Sequence, residues 1–300
     1  MPGDREFSRA TTNGSGRRGD DGVDGSNFRK VRVAAAVLAA PLLLGAAPAR
    51  APRVVSINPC LDAMLMQVAD PAQIAAVSHY SHDPRATSVP LAWAMRFPAT
   101  SGTAEEVVAL RPDLVVASGH VAPATVAALT RMHIRLQQFT LPDSIAESAQ
   151  QVRDLAAIVG HPARGAALAG RITAAARPDG APPVPALIFG PGGLVPGAGT
   201  LPDEMLRRAG FRNASAGYGL KRWDVLPLEH LVAAPPRVLF SVAAAEGGGE
   251  RAEHHPALRR LEPRLITLPF PARLMNCGGP TIVEAMALLR GARARFGVRR

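Results

Sequence analysis

The chain has 300 residues, of which 47% are hydrophobic and 19% charged, so it can bury a large core and has room for two domains of ordinary size. The formal net charge is +10, but the basic residues are almost all scattered arginines, with lysine only at Lys30 and Lys221. Nine Phe, two Trp and two Tyr are spread over the whole chain, so the sequence lacks the basic stripe with aromatic partners that nucleic-acid binding requires.

Residues 1–51 are predicted to be a leader and signal peptide. Basic residues, among them Arg29 and Lys30, precede an uncharged apolar run from Val33 to Ala47. At about fifteen residues, this run is too short to span a membrane. Small residues that suit signal cleavage follow it, and no cysteine lies close enough for a lipid anchor. We therefore expect a periplasmic protein; the alternative is a membrane-anchoring helix retained in the mature chain.

Residues 52–143 alternate between apolar strands and helices, which predicts a lobe with a parallel sheet covered by helices. The predicted strands are 53–57, 74–78, 114–117 and 135–139, and the predicted helices include 59–69 and 123–131. Between them, Thr103 and Glu106 have the spacing of a capping box, in which each side chain bonds the backbone amide of the other residue. This leaves Glu105 free to project outward.

Residues 144–183 are predicted to be a helical connector between two lobes. A first helix starts at the capping box Ser144–Glu147 and ends near Val159. A second helix over residues 162–176 would be about 22 Å long. Residues 184–300 form the second predicted lobe. The predicted fold class is therefore α/β, with two Rossmann-like lobes that have parallel sheets and are joined by a long helix.

A repeat relates the two predicted lobes. Residues 105–116 and 229–240 each contain a short helix opened by a glutamate, a proline break and a strand, and apolar positions such as Val107 and Leu231 correspond. Loops at the carboxyl ends of the strands of both lobes should face each other across a crevice. The candidates in those loops include His79, His82, Ser118, His120, Gly190 and Glu246.

Four segments together suggest a family: residues 53–56, the Ala-Leu-Arg-Pro-Asp-Leu-Val-Val run within 105–116, residues 203–213 and residues 228–231. In them the chain resembles the substrate-binding proteins of ABC importers, in the two-lobed class that carries cobalamin and ferric siderophores. The resemblance implies a rigid connecting helix and limited hinge motion; we also expect a monomer without enzymatic activity. It further implies that Glu105 and Glu229 dock onto arginines of a membrane permease dimer. The alternative is that both only complement helix N-termini.

The resemblance to cobalamin-binding members also implies aromatic residues that grip a flat macrocycle. Tyr80 and Trp223 match positions that line such a pocket, and Phe189 with Gly190 matches another. We therefore expect the ligand to be a metal chelate, with cobalamin or another corrinoid favoured. The chain departs from the cobalamin-binding members at two positions. Ala99 stands where those members carry a tryptophan, and Ser118 follows the Pro-Asp strand.

An iron chelate, either a ferric siderophore or haem, is the first alternative ligand. Arginines in a siderophore pocket would pair with anionic oxygens, for which Arg85, Arg222 and Arg273 are candidates. His79 could supply an axial bond to cobalt or to haem iron.

Two further alternatives remain open. His79, His82, His120 and Glu246 could hold a bare metal ion, although their spacing is not compact and histidines that hydrogen-bond within loops are more common. A periplasmic α/β enzyme such as a chelatase is the other alternative, but no nucleophile elbow, phosphate loop or dinucleotide motif is present. We expect no intrinsic cofactor and no resident metal.

The two cysteines, Cys60 and Cys277, come from opposite ends of the mature chain. Two cysteines in an exported protein can pair, but a bond between them would tie lobe to lobe and hinder a hinge. We therefore expect two unpaired, largely buried thiols.

Overall fold

A computed structural model of the chain describes residues 50–180, 182–242, 256–261 and 264–296, so the predicted leader lies outside the described residues except for its last two positions. Two parallel sheets, separated in sequence by a pair of helices, form the frame of this part of the chain. The predicted α/β class with two lobes is confirmed. No helix in the described ranges is both long enough and apolar enough to cross a membrane.

Parallel strands form the sheet of the first lobe. They are β1 (Val54–Ser56), β2 (Ile74–Ser78), β3 (Ala99–Thr100), β4 (Leu114–Ser118) and β5 (Arg135–Phe139). The spatial order is β3-β2-β1-β4-β5. Val54 and Val116 pack in one core cluster and Val55 and Val115 in another, as the alternation of side chains along a strand requires. Both faces of the sheet are therefore covered.

Four helices of the first lobe connect these strands. They are α1 (Pro59–Val68), α2 (Leu91–Ala94), α3 (Ala104–Ala109) and α4 (Pro123–Arg131). Helix α1 begins where Asn58 accepts hydrogen bonds from the amides of Cys60 and Leu61, with Pro59 at the first helical position. The short elements β3 and α2 lie in a proline-punctuated segment, where the sequence pattern does not predict them.

A pair of helices connects the lobes: α5 (Ile145–Ile158) and α6 (Pro162–Ala175). The chain turns between them at Gly160, whose φ of +85° is in the left-handed region that favours glycine. The two helices approach closely, because a Cβ on Gly165 would lie 2.4 Å from the Cβ of Ala156. Each helix has 14 residues, which corresponds to about 21 Å.

A second parallel sheet forms the core of the second lobe. Its strands are β6 (Val184–Phe189), β8 (Phe211–Asn213), β10 (Val238–Val242) and β11 (Ile266–Phe270), in the spatial order β11-β10-β6-β8. A separate antiparallel ribbon pairs β7 (Leu194–Pro196) with β9 (Trp223–Val225). The helices are α7 (Leu201–Arg208), α8 (Leu228–Ala233), α9 (Pro256–Arg259), α10 (Ala272–Asn276) and α11 (Thr281–Ala294).

The predicted repeat is present in the structure. Helix α3 leads through Pro112 into β4, and helix α8 leads through Pro235-Pro236 into β10. The corresponding residues Val107 and Leu231 are both fully buried. Each copy therefore contributes one short helix and one interior strand to its lobe.

The lobes are linked covalently, so the expectation of two unpaired thiols is wrong. Cys60 and Cys277 form a disulfide with a Cα–Cα distance of 5.2 Å. They are 217 positions apart in sequence, but the start of α1 and the end of α10 lie side by side where the lobes meet. Helix α5 of the connector is also bonded to the second lobe: Glu204 accepts a hydrogen bond from the amide of Ile145 (2.9 Å), and Ser148 accepts one from the amide of Gly279 (2.7 Å).

Candidate ligand-binding cleft

A turn after β2 holds the first candidate site residues. His79 and Tyr80 open a single 3-10 turn (His79–His82), and their rings lie 4.0 Å apart. The Tyr80 side chain is 50% exposed. His79 Nδ1 lies 3.3 Å from the carbonyl oxygen of Thr100. A carbonyl can only accept, so Nδ1 carries the hydrogen and Nε2 keeps its lone pair in the neutral ring. This arrangement orients an imidazole for metal ligation.

The other predicted histidines do not join this pair. His82 Nε2 lies 3.1 Å from the carbonyl oxygen of Ala94, so this side chain anchors α2 to the turn. His120 is exposed after β4, and Ser118 is partly buried at the end of that strand. Within the described ranges, no three His, Cys, Asp or Glu side chains come together as a metal site. Glu246, the predicted fourth member, lies outside those ranges.

A buried carboxylate lies behind the turn. Asp62 of α1 is 0% exposed, and its Oδ2 accepts hydrogen bonds from the amide of Ser78 (3.0 Å) and from Ser81 Oγ (2.6 Å). Burial raises the pKa of Asp62 to about 7, against the opposing effect of these bonds and of the nearby Ser56 hydroxyl. The sequence analysis does not identify Asp62, although it is the single charged residue in the helix Pro59–Val68.

A pocket of about 350 Å³ lies between the lobes and includes Trp223, whose side chain is 42% exposed. Its walls come from the loop after β5, the start of α7, strand β9 and the end of α10 with the segment that follows it. The lining residues are Leu141, Pro142, Asp143, Leu201, Pro202, Trp223, Met275, Asn276 and Gly278. The sequence analysis identifies only Trp223 among them. One sequence feature does point to the pocket. A Leu-Pro pair occurs at residues 141–142, ahead of helix α5, and again at residues 201–202, in the first turn of α7.

The turn after β2 and this pocket lie along the same edge of the first sheet, because the carboxyl ends of parallel strands share an edge. β2 and β5 are three positions apart in the strand order, which corresponds to about 14 Å at about 4.8 Å per strand. The width of three strands of the first sheet therefore separates the turn of His79 and Tyr80 from the loop that lines the Trp223 pocket.

Charged residues around the cleft are paired. Arg222 forms a salt bridge with Asp143 across the two lobes, beside Trp223. Arg85 pairs with Asp83 (3.0 Å). Arg273 pairs with Glu284, and this contact raises the pKa of the Arg273 guanidinium. An anionic ligand would have to compete with a carboxylate for each of the three candidate arginines.

Phe189 and Gly190, which the sequence predicts to line the cleft, are both buried and are not among the residues that line the Trp223 pocket. Phe189 is 8% exposed and belongs to the core cluster of the second lobe that contains Leu187, Val195 and Leu226. Gly190 is also buried, but a Cβ there would lie 3.3 Å from the Cε of Met275. The absence of a side chain at Gly190 therefore leaves room for Met275, which lines the Trp223 pocket.

Glu105 and Glu229 occupy equivalent places in the first turns of α3 and α8, and both are exposed. Neither side chain hydrogen-bonds or ion-pairs with another residue of the described chain. Glu106, rather than Glu105, takes part in capping helix α3, as predicted. Its carboxylate, however, accepts a hydrogen bond from the amide of Ser101 (2.6 Å) rather than from that of Thr103. This bond is the main cause of the lowered pKa of Glu106.

Comparison with known proteins agrees with this architecture. The periplasmic binding protein family matches residues 54–261. The apo form of the periplasmic heme-binding protein RhuT from Roseiflexus sp. RS-1 is 26% identical, with 80% of this chain and 97% of that chain covered and a TM-score of 0.61. The periplasmic heme-binding protein BhuT, in complex with two hemes, is 25% identical with the same coverage and TM-score.

The periplasmic vitamin B12 binding protein BtuF of Vibrio cholerae shares the fold, at 18% identity and a TM-score of 0.60, with 80% of this chain and 96% of that chain covered. No curated protein sequence matches the chain. Because the family match covers more than half of the chain and the solved structures match nearly their full length, the chain belongs to the periplasmic binding protein family that serves ABC importers.

Proposed function

We propose that this protein captures an iron or cobalt tetrapyrrole in its interlobe cleft and delivers it to an ABC permease, with haem as the first candidate. The observation that carries the proposal is the exposed pair His79 and Tyr80. Imidazole and phenolate are both axial ligands of haem iron, and the contact of His79 Nδ1 with Thr100 leaves Nε2 as the metal donor. The identity of 25–26% to heme-binding proteins supports the same ligand.

A corrinoid, which the sequence analysis favours, is the second candidate. The Trp223 pocket supports it, because an exposed indole beside Leu141 and Met275 can hold the face or edge of a large ring without a bond to the metal. The likeness to the vitamin B12 binding protein concerns the fold alone. Haem and a corrinoid therefore differ in which residues they depend on: His79 and Tyr80 for haem, and Trp223 for a corrinoid.

Titration with hemin and with cyanocobalamin separates these candidates. We expect hemin to bind with a shifted Soret band. His79→Ala should weaken hemin binding at least about tenfold, because an oriented metal ligand is lost, and Tyr80→Phe should alter the band if the phenolate also ligates. Trp223→Ala should cost about 1 to 3 kcal/mol of cyanocobalamin binding and weaken hemin binding less.

His133→Asn is the matched control for His79→Ala. His133 is an exposed histidine at the opposite edge of the sheet, and its φ of 54° is one that asparagine tolerates. Saturable quenching of tryptophan fluorescence by cyanocobalamin, without any change in the hemin spectrum, would favour the corrinoid. Binding of a ferric siderophore alone, or stoichiometric metal without an organic chelate, would contradict both tetrapyrrole candidates.

The proposed interaction with the permease rests on Glu105 and Glu229. Each is an exposed carboxylate without a partner among the described residues, and one belongs to each copy of the repeat. Two equivalent charges on related lobes complement a two-fold symmetric permease, since charge pairs fix orientation and register. We further propose that the signal peptide predicted within residues 1–51 directs export and that the protein functions as a monomer.

A further inference from the structure

Asp62 is an unusual residue in the first lobe because it is a fully buried carboxylate without a cationic partner. Its helix neighbours Leu61, Ala63 and Leu65 are apolar and buried, and an isolated buried carboxylate is costly. Its Oδ1 has no hydrogen-bond partner among the described residues. Packing alone would favour an apolar residue here, so the bonds that Asp62 makes require an explanation.

Both hydrogen bonds that Asp62 accepts from described residues hold the turn that carries His79 and Tyr80, the proposed metal donors. Asp62 Oδ2 accepts from the amide of Ser78 and from the hydroxyl of Ser81, which are the residues on either side of His79 and Tyr80. The N-cap residue of the turn, Ser78, makes no side-chain capping bond, and the other side-chain contacts of the turn are those of His79 with Thr100 and of His82 with Ala94. A single 3-10 turn has few internal bonds, so an acceptor on a neighbouring helix contributes much of its order.

We propose that Asp62 is the positioning residue for the His79–Tyr80 pair, because it fixes both ends of their turn from behind. Thr100 then orients the His79 ring through Nδ1, and Asp62 sets the backbone on which that ring and the Tyr80 ring are mounted. A metal ligand displaced by a fraction of an ångström ligates poorly, so the effect of Asp62 should appear in ligation. This inference rests on the proposed binding of a metal tetrapyrrole.

Three variants test it by hemin titration and by the Soret spectrum. Asp62→Ala removes the acceptor and should weaken hemin binding about tenfold while shifting the Soret band toward that of His79→Ala. Asp62→Asn keeps one acceptor oxygen in place and should bind within about threefold of the wild type with a native spectrum. Ser81→Ala removes only one bond and should change the spectrum in the same direction as Asp62→Ala, but less.

Asp83→Asn is the matched control. It also removes a carboxylate next to the turn, but Asp83 bonds Arg85 rather than Ser78 or Ser81. A wild-type affinity and Soret band in Asp62→Ala and Ser81→Ala would overturn the proposal. Equal losses in Asp62→Asn and Asp62→Ala would also overturn it, because the acceptor would then not be the cause.

Amide hydrogen exchange without ligand separates this inference from the proposed function. Asp62→Ala should accelerate exchange over residues 78–83 while strands β6 and β10 of the second lobe keep their protection, and Asp83→Asn should leave these rates near those of the wild type. If the wild type does not bind hemin but the turn loosens in Asp62→Ala, the proposed ligand is wrong and the positioning of the turn is retained. Unchanged exchange in the turn would contradict the role of Asp62 whatever the ligand is.

Discussion

Asp62 makes the stability of the first lobe depend on pH near neutrality. Burial raises its pKa from 3.8 to about 7, so between these values the folded protein holds a proton that the unfolded chain releases. The free energy of unfolding should therefore fall as pH rises from about 4 to about 7 and level off above that range, where both states are ionised. The shift corresponds to a loss of about 3 to 4 kcal/mol between about pH 4 and about pH 8.

Urea denaturation of the wild type and of Asp62→Asn across this pH range measures the effect. The variant cannot ionise at this position, so its free energy of unfolding should lack this decrease. Carboxylates whose pKa is lowered by hydrogen bonds have the opposite effect and gain stability as pH rises through the acid range; these are Asp70, Asp83, Glu106 and Asp224. They are common to both proteins, so parallel pH profiles would show that Asp62 does not titrate as described.

Residues in the predicted site differ in how well the sequence locates them. His79 and Tyr80 follow an apolar strand, so the prediction that they lie in a loop at its carboxyl end is met. Phe189 ends a strand as well, but the direction of its side chain depends on the register between β6 and its neighbours, and it packs in the core. The sequence pattern gives the edge of the sheet to which a residue belongs, and tertiary packing decides whether its side chain reaches the cleft.

The starts of helices are where the local sequence is most informative. Thr103 and Ser144 accept hydrogen bonds from the amides three residues later, as both capping boxes predict. In both, however, the glutamate bonds an amide ahead of the N-cap, that of Ser101 for Glu106 and that of Asp143 for Glu147. The spacing therefore predicts where each helix starts, whereas the exact partner depends on the path of the preceding loop.

Helices α3 and α8 present the carboxylates for the proposed docking to a permease. Glu105→Ala with Glu229→Ala should leave hemin affinity unchanged, since neither residue lines the pocket of Trp223 or the turn of His79. Ligand-dependent stimulation of the cognate transporter in vesicles should be lost. Each single variant should be intermediate, because two linked weak contacts reinforce one another.

The control for docking removes two other exposed carboxylates, Asp154 and Asp179, and keeps the same net charge change. It should stimulate transport as the wild type does. Normal transport by the Glu105/Glu229 double variant would leave these residues with the simpler role of complementing helix N-termini.

At the scale of the whole molecule, contacts between lobes are the part that the sequence predicts least. The pocket of Trp223 combines segments 141–143, 201–202 and 275–278, which no local pattern relates. The salt bridge between Arg222 and Asp143 and the hydrogen bond between Glu204 and Ile145 likewise join residues far apart in the chain. Alternation of strands and helices predicts each sheet, but the relative placement of two sheets depends on packing along the connector.

The disulfide Cys60–Cys277 provides the strongest test of that placement. It joins the first turn of α1 to the segment after α10 and closes most of the described chain into one loop, with a sequence separation of 217. Cross-linking such a long loop restricts the unfolded chain, so loss of the bond should lower the free energy of unfolding by about 2 to 4 kcal/mol. An exported protein would keep the bond oxidised.

Denaturation with and without reductant, together with a thiol assay, measures this effect. The native protein should contain no free thiol, and reductant should destabilise it. The double variant Cys60→Ser/Cys277→Ser should resemble the reduced wild type and show no response to reductant.

The same bond lies beside Asn276 and Gly278 of the pocket, so the double variant should also bind hemin more weakly if the two lobes must be held at this separation. Two titratable thiols in the native protein would contradict the pairing, and with it the contact between the lobes at α1 and α10.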